Sequence, residues 1–458
     1  MQKPGPKVVL ISTYELGRQP FGLASPAAWL RHAGGVVTCL DLAVQRLDEG
    51  AIHAADLVAF YVPMHTATRL ASALVPRVKA LNPHAHLCFY GLYAPVNEGY
   101  LRSLGAETIL GGEFESGLVS LFTRLSEDID APAQAEPVIS LARQEFLVPD
   151  RSGLEVLSRY ASLIQNGEKR VVGYTEASRG CKHLCRHCPV VPVYGGHFRI
   201  VQRDVVLEDI RRQVAVGAEH ITFGDPDFFN GIGHALAIVR ALHEEFPRLT
   251  YDVTVKVSHL LQQARHLRTL RDSGCLFVTS AVESLDDRVL ALLDKGHTRQ
   301  DFEDVVGLFR DVGLTLAPTF VPFTPWISLD GYLELLTALA EMELMDHVAP
   351  IQLAIRLLIP AGSRLLELQE VQDLVEGFNQ ALLSYRWRHP DPRVDRLQER
   401  LQELVRQEEA AGGSRREIFG KVWQSAEKAA GQPCRPIVEK PRGPARPPIP
   451  YMTEPWFC

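Results

Sequence analysis

The sequence is short of the features that would direct it to a membrane, the cell exterior or a nucleic acid. Its first residues lead into the apolar run 8–11, which is too brief for a signal peptide or a membrane span. Its eight cysteines have no framework spacing, which excludes a disulfide-stapled secreted domain and gives the expectation of a reducing, cytoplasmic setting. Positive charge is not in excess: 48 Lys and Arg against 55 Asp and Glu leave a net charge of -7. Nucleic acid is therefore the weaker partner and a small molecule the stronger one, with the basic stretch 435–446 as a local exception. What remains, 458 residues with 46% hydrophobic and 22% charged side chains, describes an ordinary globular protein of two or three domains.

Against that background one stretch stands out, Cys181-Lys-His-Leu-Cys185-Arg-His-Cys188. Three thiols at this spacing can hold one 4Fe-4S cluster and leave its fourth iron open, whereas electron-transfer ferredoxins normally spend four. A fourth nearby thiol is missing. Cys88 and Cys275 are more than eighty residues away, in apolar runs where a cysteine is usually a small buried hydrophobe. A structural zinc knot using His183 or His187 is the alternative, but no second cysteine pair follows at zinc-ribbon distance.

Residues 7–125 alternate short apolar runs (8–11, 35–40, 57–62, 86–90 and 108–110) with amphipathic stretches, the pattern of a parallel sheet with helices on both faces. Residues 25–32 read as a helix with Pro26 in its first turn. The fold class is α/β, with a Rossmann-like domain over 1–127, a linker over 128–168 and a (β/α)6 partial TIM barrel over 169–365. The barrel strands are expected at 171–174, 219–223, 251–257, 275–282, 314–321 and 351–359, which puts the cysteines on the loop after the first of them. A helical region is expected over 366–432, from the spacing of Val371, Leu374, Phe378, Leu397, Leu401 and Val405. The last segment, 433–458, holds eight prolines and reads as an extended tail.

Arg179-Gly180-Cys181 with its two following cysteines resembles the RGCxxxCxxC signature of radical SAM enzymes. The segments 221–227, 281–284 with Lys295-Gly296-His297-Thr298, and 359–363 resemble that family's second-strand, fourth-strand and sixth-strand elements, in the family's order. The resemblance implies a 4Fe-4S cluster on Cys181, Cys185 and Cys188, and S-adenosylmethionine on its open iron. It also implies Gly224, Asp225 and Asp227 near the methionyl amino group, Glu283 and Ser284 near the ribose, and Lys256 or Arg356 against the carboxylate. Read as ordinary residues, Glu283 is a helix cap, Lys256 and Arg356 pair with barrel carboxylates, and His183 and His187 are solvated loop residues. An electron donor such as flavodoxin or ferredoxin would be a partner.

The N-terminal domain resembles the cobalamin-binding-like domains fused ahead of such barrels, with Gly111-Gly112-Glu113-Phe114-Glu115 similar to their GEGE turn. The DxHxxG motif is absent, since no histidine precedes His32, so cobalamin is neither implied nor excluded. The ending 451–458 resembles the CUAEP/CCAEP-tail radical SAM proteins, cut just after Cys458, where a selenocysteine codon read as a stop would leave it; an ordinary terminus is the plainer reading. That group includes an arsinothricin-biosynthesis enzyme. The resemblance to it implies transfer of a 3-amino-3-carboxypropyl group to trivalent arsenic, with Cys458 and Cys434 as soft ligands for arsenite. A cobalamin-dependent methyltransferase, another 5'-deoxyadenosyl-radical enzyme and a tRNA-modifying methylthiotransferase are the alternatives. The last would need a five-stranded β module that 366–458 does not suggest.

Overall fold

The computed structural model describes residues 5–127, 136–433 and 449–454. The apolar runs of the N-terminal part form a parallel sheet of β1 (Lys7–Ser12), β2 (Val36–Asp41), β3 (Leu57–Tyr61), β4 (His86–Tyr90), β5 (Thr108–Gly112) and β6 (Ile139–Ser140), in the order β2-β1-β3-β4-β5-β6. Strands buried on both faces become near-continuous apolar sequence, which is why these were readable. The first helix, Phe21–His32, begins four residues before the expected start and carries Pro26 inside it.

The second sheet has the order β14-β13-β12-β11-β8-β7-β17. Its parallel strands are β8 (Glu168–Thr175), β11 (His220–Phe223), β12 (Thr250–Thr254), β13 (Cys275–Glu283) and β14 (Thr315–Phe320). The sheet is a curled half-barrel with helices packed on its outer face. A short pair, β9 (Ser178–Gly180) and β10 (Phe198–Ile200), brackets the cysteine loop.

Three expectations change. The sixth barrel strand at 351–359 is absent: Pro350–Leu353 is a 3-10 turn, and only an isolated bridge joins Phe323 to Arg356. The Gln352 side chain accepts the Phe320 N–H (3.0 Å), taking the edge donor that a sixth strand would have used. The region after 366 is not helical at first, because β15 (Val375–Asn379) and β16 (Ser384–Trp387) form a hairpin with Phe378 packed on Tyr385. Helices follow at Pro392–Ala410 and Arg415–Ala430, capped by Asp391 and Ser414. The linker, in its described part, supplies β6 and also β7 (Ser162–Gln165), which pairs with β8 through a two-residue Asn166-Gly167 turn at positive φ. In the described part of the tail, Tyr451–Met452 are extended and form β17, paired antiparallel to β7, with Met452 packed on Leu163, Val172 and Phe277.

The two sheets meet across a buried ion-pair network. Arg179 binds both oxygens of Glu115 (2.7 and 2.9 Å) and one of Glu176 (2.7 Å), with Glu113 at 3.5 Å, and its guanidinium lies over the rings of Phe21, Phe114 and Phe146. Burial holds the Glu113 carboxyl up to about 7, against the pull of Arg179. An acid raised in this way costs the folded state as pH climbs from its usual value through 7. Glu113→Gln should therefore raise the melting temperature at pH 8, with the gain vanishing near pH 4.5; scanning calorimetry at the two pH values checks it.

Candidate active site

Gly180 turns the chain into the cysteine loop at φ +75°, where a Cβ would stand 2.4 Å from the Tyr194 ring and 2.5 Å from the His197 carbonyl. Only glycine fits there. The loop that follows is pinned from two sides. Arg186 donates to the carbonyls of Ala291 and Leu292, and the turn at 363–364 holds the loop through the Ser363 hydroxyl on the Arg186 carbonyl (3.1 Å) and Arg364 on the Leu184 carbonyl (2.7 Å). The proline-glycine segment 359–363 thus braces the cysteine loop.

Cys185 is buried and Cys181 and Cys188 are half-buried; all six described cysteines are free. Burial, followed by the neighbouring thiols, pushes Cys188 up to about 12, and burial also raises Cys181. Thiols held up by burial need a cationic centre to become thiolates, and three thiols at this spacing are a donor set that fits an iron-sulfur cluster. Lys256 adds a fixed positive charge, with its Nζ 3.6 Å from the Cys185 Sγ.

Carboxylates from the strand ends surround the loop. Glu283 closes β13 at φ +71°, an unusual conformation for a residue with a side chain, of the kind that clusters at functional sites. Burial would raise its carboxyl, but Lys295 (3.4 Å) and His187 (3.2 Å) overcome that and hold it at about 2. Asp227 likewise stays ionised although burial opposes it, because His183 (3.4 Å) and His259 (2.6 Å) flank it. His183 and His187 are therefore partners of these two acids, which corrects the expectation of solvated loop residues.

Other candidates serve the framework. Asp225 accepts from the Ala177 N–H (3.0 Å) and the Ser178 hydroxyl (2.5 Å), bracing the strand before the cysteines, and burial pushes it up to about 7. Gly224 lets the Tyr174 phenol approach to 1.8 Å of where a Cβ would be. Ser284 accepts the Asp286 N–H, while Asp286, and not Glu283, caps the next helix. Arg356 is committed elsewhere: it pairs with Asp395 (2.6 Å), donates to the Trp387 carbonyl (2.6 Å) and lies 3.5 Å from the Trp387 ring centroid. Its charge is met by the Pro392–Ala410 helix, which leaves Lys256 as the cation beside the thiols. Cys434 and Cys458 lie outside the described residues.

Sequence reasoning missed His297. It is buried with neither ring nitrogen hydrogen-bonded, and burial, with Lys295 and Lys256 nearby, holds it down at about 4. Its signal was the Lys295-Gly296-His297-Thr298 element, which had been read only as a family mark. A neutral, unpartnered imidazole between two lysines is suited to receive a polar group of a ligand.

Residues 175–328 match the Radical SAM superfamily. Hopanoid C-3 methylase of Methylococcus capsulatus is 23% identical over 336 residues, covering 70% of this chain and 64% of that protein. Bacteriochlorophyllide d C-12(1)-methyltransferase of Chlorobaculum tepidum is 29% identical over 211 residues, covering 44% and 43%. The chain thus spans less than two thirds of either relative's length. Among solved structures, the cobalamin-dependent S-adenosylmethionine radical enzyme OxsB with aqua-cobalamin bound superimposes with a TM-score of 0.68 at 15% identity, over 88% of this chain and 67% of that one. The radical S-adenosylmethionine methyltransferase TsrM from Kitasatospora setae, with cobalamin and a 4Fe-4S cluster bound, gives 0.59 at 18% identity, over 74% and 73%. These likenesses establish the fold. Among the described residues no helix is long and apolar enough to cross a membrane.

Replacing Lys256 by Met should weaken S-adenosylmethionine binding about tenfold, the cost of one charge-assisted contact. Arg356→Met should leave that affinity unchanged and lower the melting temperature instead. Equilibrium dialysis on cluster-loaded protein separates the two.

Proposed function

We propose, from the premise that residues 175–328 are a radical SAM domain and the chain an enzyme of that kind, that it transfers a group from S-adenosylmethionine to a small-molecule acceptor. The observation that carries this reading is the convergence of Cys181, Cys185 and Cys188 with Lys256, Glu283 and Lys295 beside them. When bound on these three cysteines, a 4Fe-4S cluster supplies one electron and an open iron at which S-adenosylmethionine is reductively cleaved. The chain's own residues then bind and orient. Lys256 neutralises the methionyl carboxylate and Asp227, kept ionised by its two histidines, accepts from the amino group. Glu283 takes the ribose hydroxyls, and His297 holds a polar group of the acceptor.

For the transferred group, the reading favoured by the chain's ending is 3-amino-3-carboxypropyl, delivered to trivalent arsenic. Its support is the direction of the tail. β17 is antiparallel to β7, which is antiparallel to β8, so Tyr451–Met452 point toward the end of the barrel where the cysteine loop begins. A soft thiol brought to that end would suit a thiophilic acceptor. A second reading, methyl transfer, is favoured by the names of the relatives that match the barrel, hopanoid C-3 methylase among them. A methylthiotransferase of tRNA is less well supported, since the described part of 366–433 holds a two-stranded hairpin and two long helices.

Anaerobic turnover with and without arsenite, followed by mass spectrometry of the nucleoside products, tests this. Arsenite-dependent methylthioadenosine is the expected result. S-adenosylhomocysteine would point to methyl transfer, and 5'-deoxyadenosine alone would sink the aminocarboxypropyl assignment. Alanine at any of the three cysteines should abolish every product, and surviving turnover would refute the cluster site.

A further inference from the structure

Open α/β sheets hold ligands in the crevice outside the carboxyl ends of their strands, where the strand order reverses. Here that place lies between β1 and β3, and the chain's own side chains fill it. The Tyr61 ring stands 2.1 Å from where a Cβ on Gly22 would be, and packs with Tyr90 and Phe114 at centroid distances of 5.3 and 6.0 Å. On the β1 side, Glu454 of the tail lies against Gly17 and accepts from the Tyr14 hydroxyl (2.5 Å). After β2, the Val44 carbonyl accepts from Arg159 (2.8 Å).

The remaining carboxyl-end loops are also in contact with the rest of the molecule. His65, beginning the helix after β3, meets the Leu382 carbonyl in the β15–β16 turn. Leu92 and Val96, after β4, pack in one apolar cluster with Val190, Val193, Cys181 and Cys188. Glu113 and Glu115, after β5, hold Arg179. A corrin ring presents a face larger than any of these side chains and needs the loops around the β1/β3 crevice to stand clear of the barrel, which the contacts of Tyr61, Glu454, Glu113 and Glu115 oppose.

We propose that residues 5–127 serve as a clamp on the cysteine loop and not as a corrinoid-binding domain, and that Arg179 is the positioning residue through which the clamp acts. Only Gly180 separates Arg179 from Cys181, and its positive φ and contact with Tyr194 leave it no freedom, so any movement of Arg179 passes to the first cysteine. On the far side, Glu115 sits in the first turn of the helix Glu115–Ser126, where the helix dipole favours its charge. Ser25 (2.7 Å) and Gln144 (2.9 Å) also donate to it, so the anchor is rigid. The proposal rests on the radical SAM reading and concerns how that site is held.

The test uses the full chain, reconstituted anaerobically with iron and sulfide. It is first mixed with hydroxocobalamin and passed through gel filtration; the expected result is no co-eluting cobalamin, and stoichiometric co-elution overturns the proposal. In the second arm, Arg179→Gln and Glu115→Gln are made singly and together, with Arg179→Lys as a variant that keeps the charge. Arg179→Gln leaves Glu115 and Glu176 without their partner, Glu115→Gln leaves Arg179 with Glu176 and Glu113 only, and the double removes the link between the two sheets. At matched iron content, the readouts are the change in the reduced cluster's electron paramagnetic resonance signal on adding S-adenosylmethionine, and the KM for that cosubstrate. The singles and Arg179→Lys are expected to alter the signal and raise KM about tenfold, and the double, which lacks the anchor altogether, is expected to show no recovery; recovery of the double to wild-type values would also overturn the clamp. A wild-type signal and KM in Arg179→Lys refute the clamp. Wild-type protein that cleaves no S-adenosylmethionine in the same samples refutes instead the reading on which it rests.

Discussion

Three thiols are confined to one partly buried loop, where burial holds Cys181 and Cys188 against ionisation, and much of the surrounding structure answers that constraint. The loop holds its ligands together without a fourth thiol because its backbone is fixed from outside: by Gly180 in front, by the carbonyls at 291–292 to one side and by the turn at 363–364 on the other. Positive charge is supplied at short range by Lys256, and Lys295 contributes to the same field while it neutralises Glu283. Three thiols with two nearby cations form a donor set that a cluster of positive metal ions would complete.

The same loop couples the two sheets. Arg179 is buried with carboxylates contributed by β5's following turn and by the residue after β8, and its close pair is Glu115; removing one partner from such a buried pair typically costs about 3–5 kcal/mol. The N-terminal domain therefore bears on the chemistry through mechanical continuity. Its likeness in fold to cobalamin-bound enzymes is real, yet the crevice that such a domain offers a ligand is here packed with Tyr61, Glu454 and the adjoining loops. A shared fold fixes where a ligand can bind, and the side chains decide whether it does.

Much of this was legible in the chain. The cysteine spacing needed no structure, and the ten parallel strands from β1 to β5 and from β8 to β14, with β9 and β10 set aside, were written as apolar runs. The sixth barrel strand was misread because its apolar residues, Leu357 and Ile359, pack in a satellite cluster with Leu365 and Trp387, and composition does not say which surface an apolar run will cover. The β15–β16 hairpin was misread because Val371, Leu374 and Phe378 satisfy a helical period as well as they do a turn followed by a strand. Arg356 and Lys256 were indistinguishable as lone cations; only packing put one beside Asp395 and the other beside Cys185.

The sequence by itself determined the thiol spacing and the parallel strands of both sheets, because thiol spacing and hydrophobic periodicity are local properties that survive without the fold. What only the tertiary structure decided is which charges meet. Arg179 finds Glu115 across 64 residues, His259 finds Asp227, and Tyr14 finds Glu454 across 440. Pairing at such separations depends on how the sheets dock, and no local pattern in the chain records it.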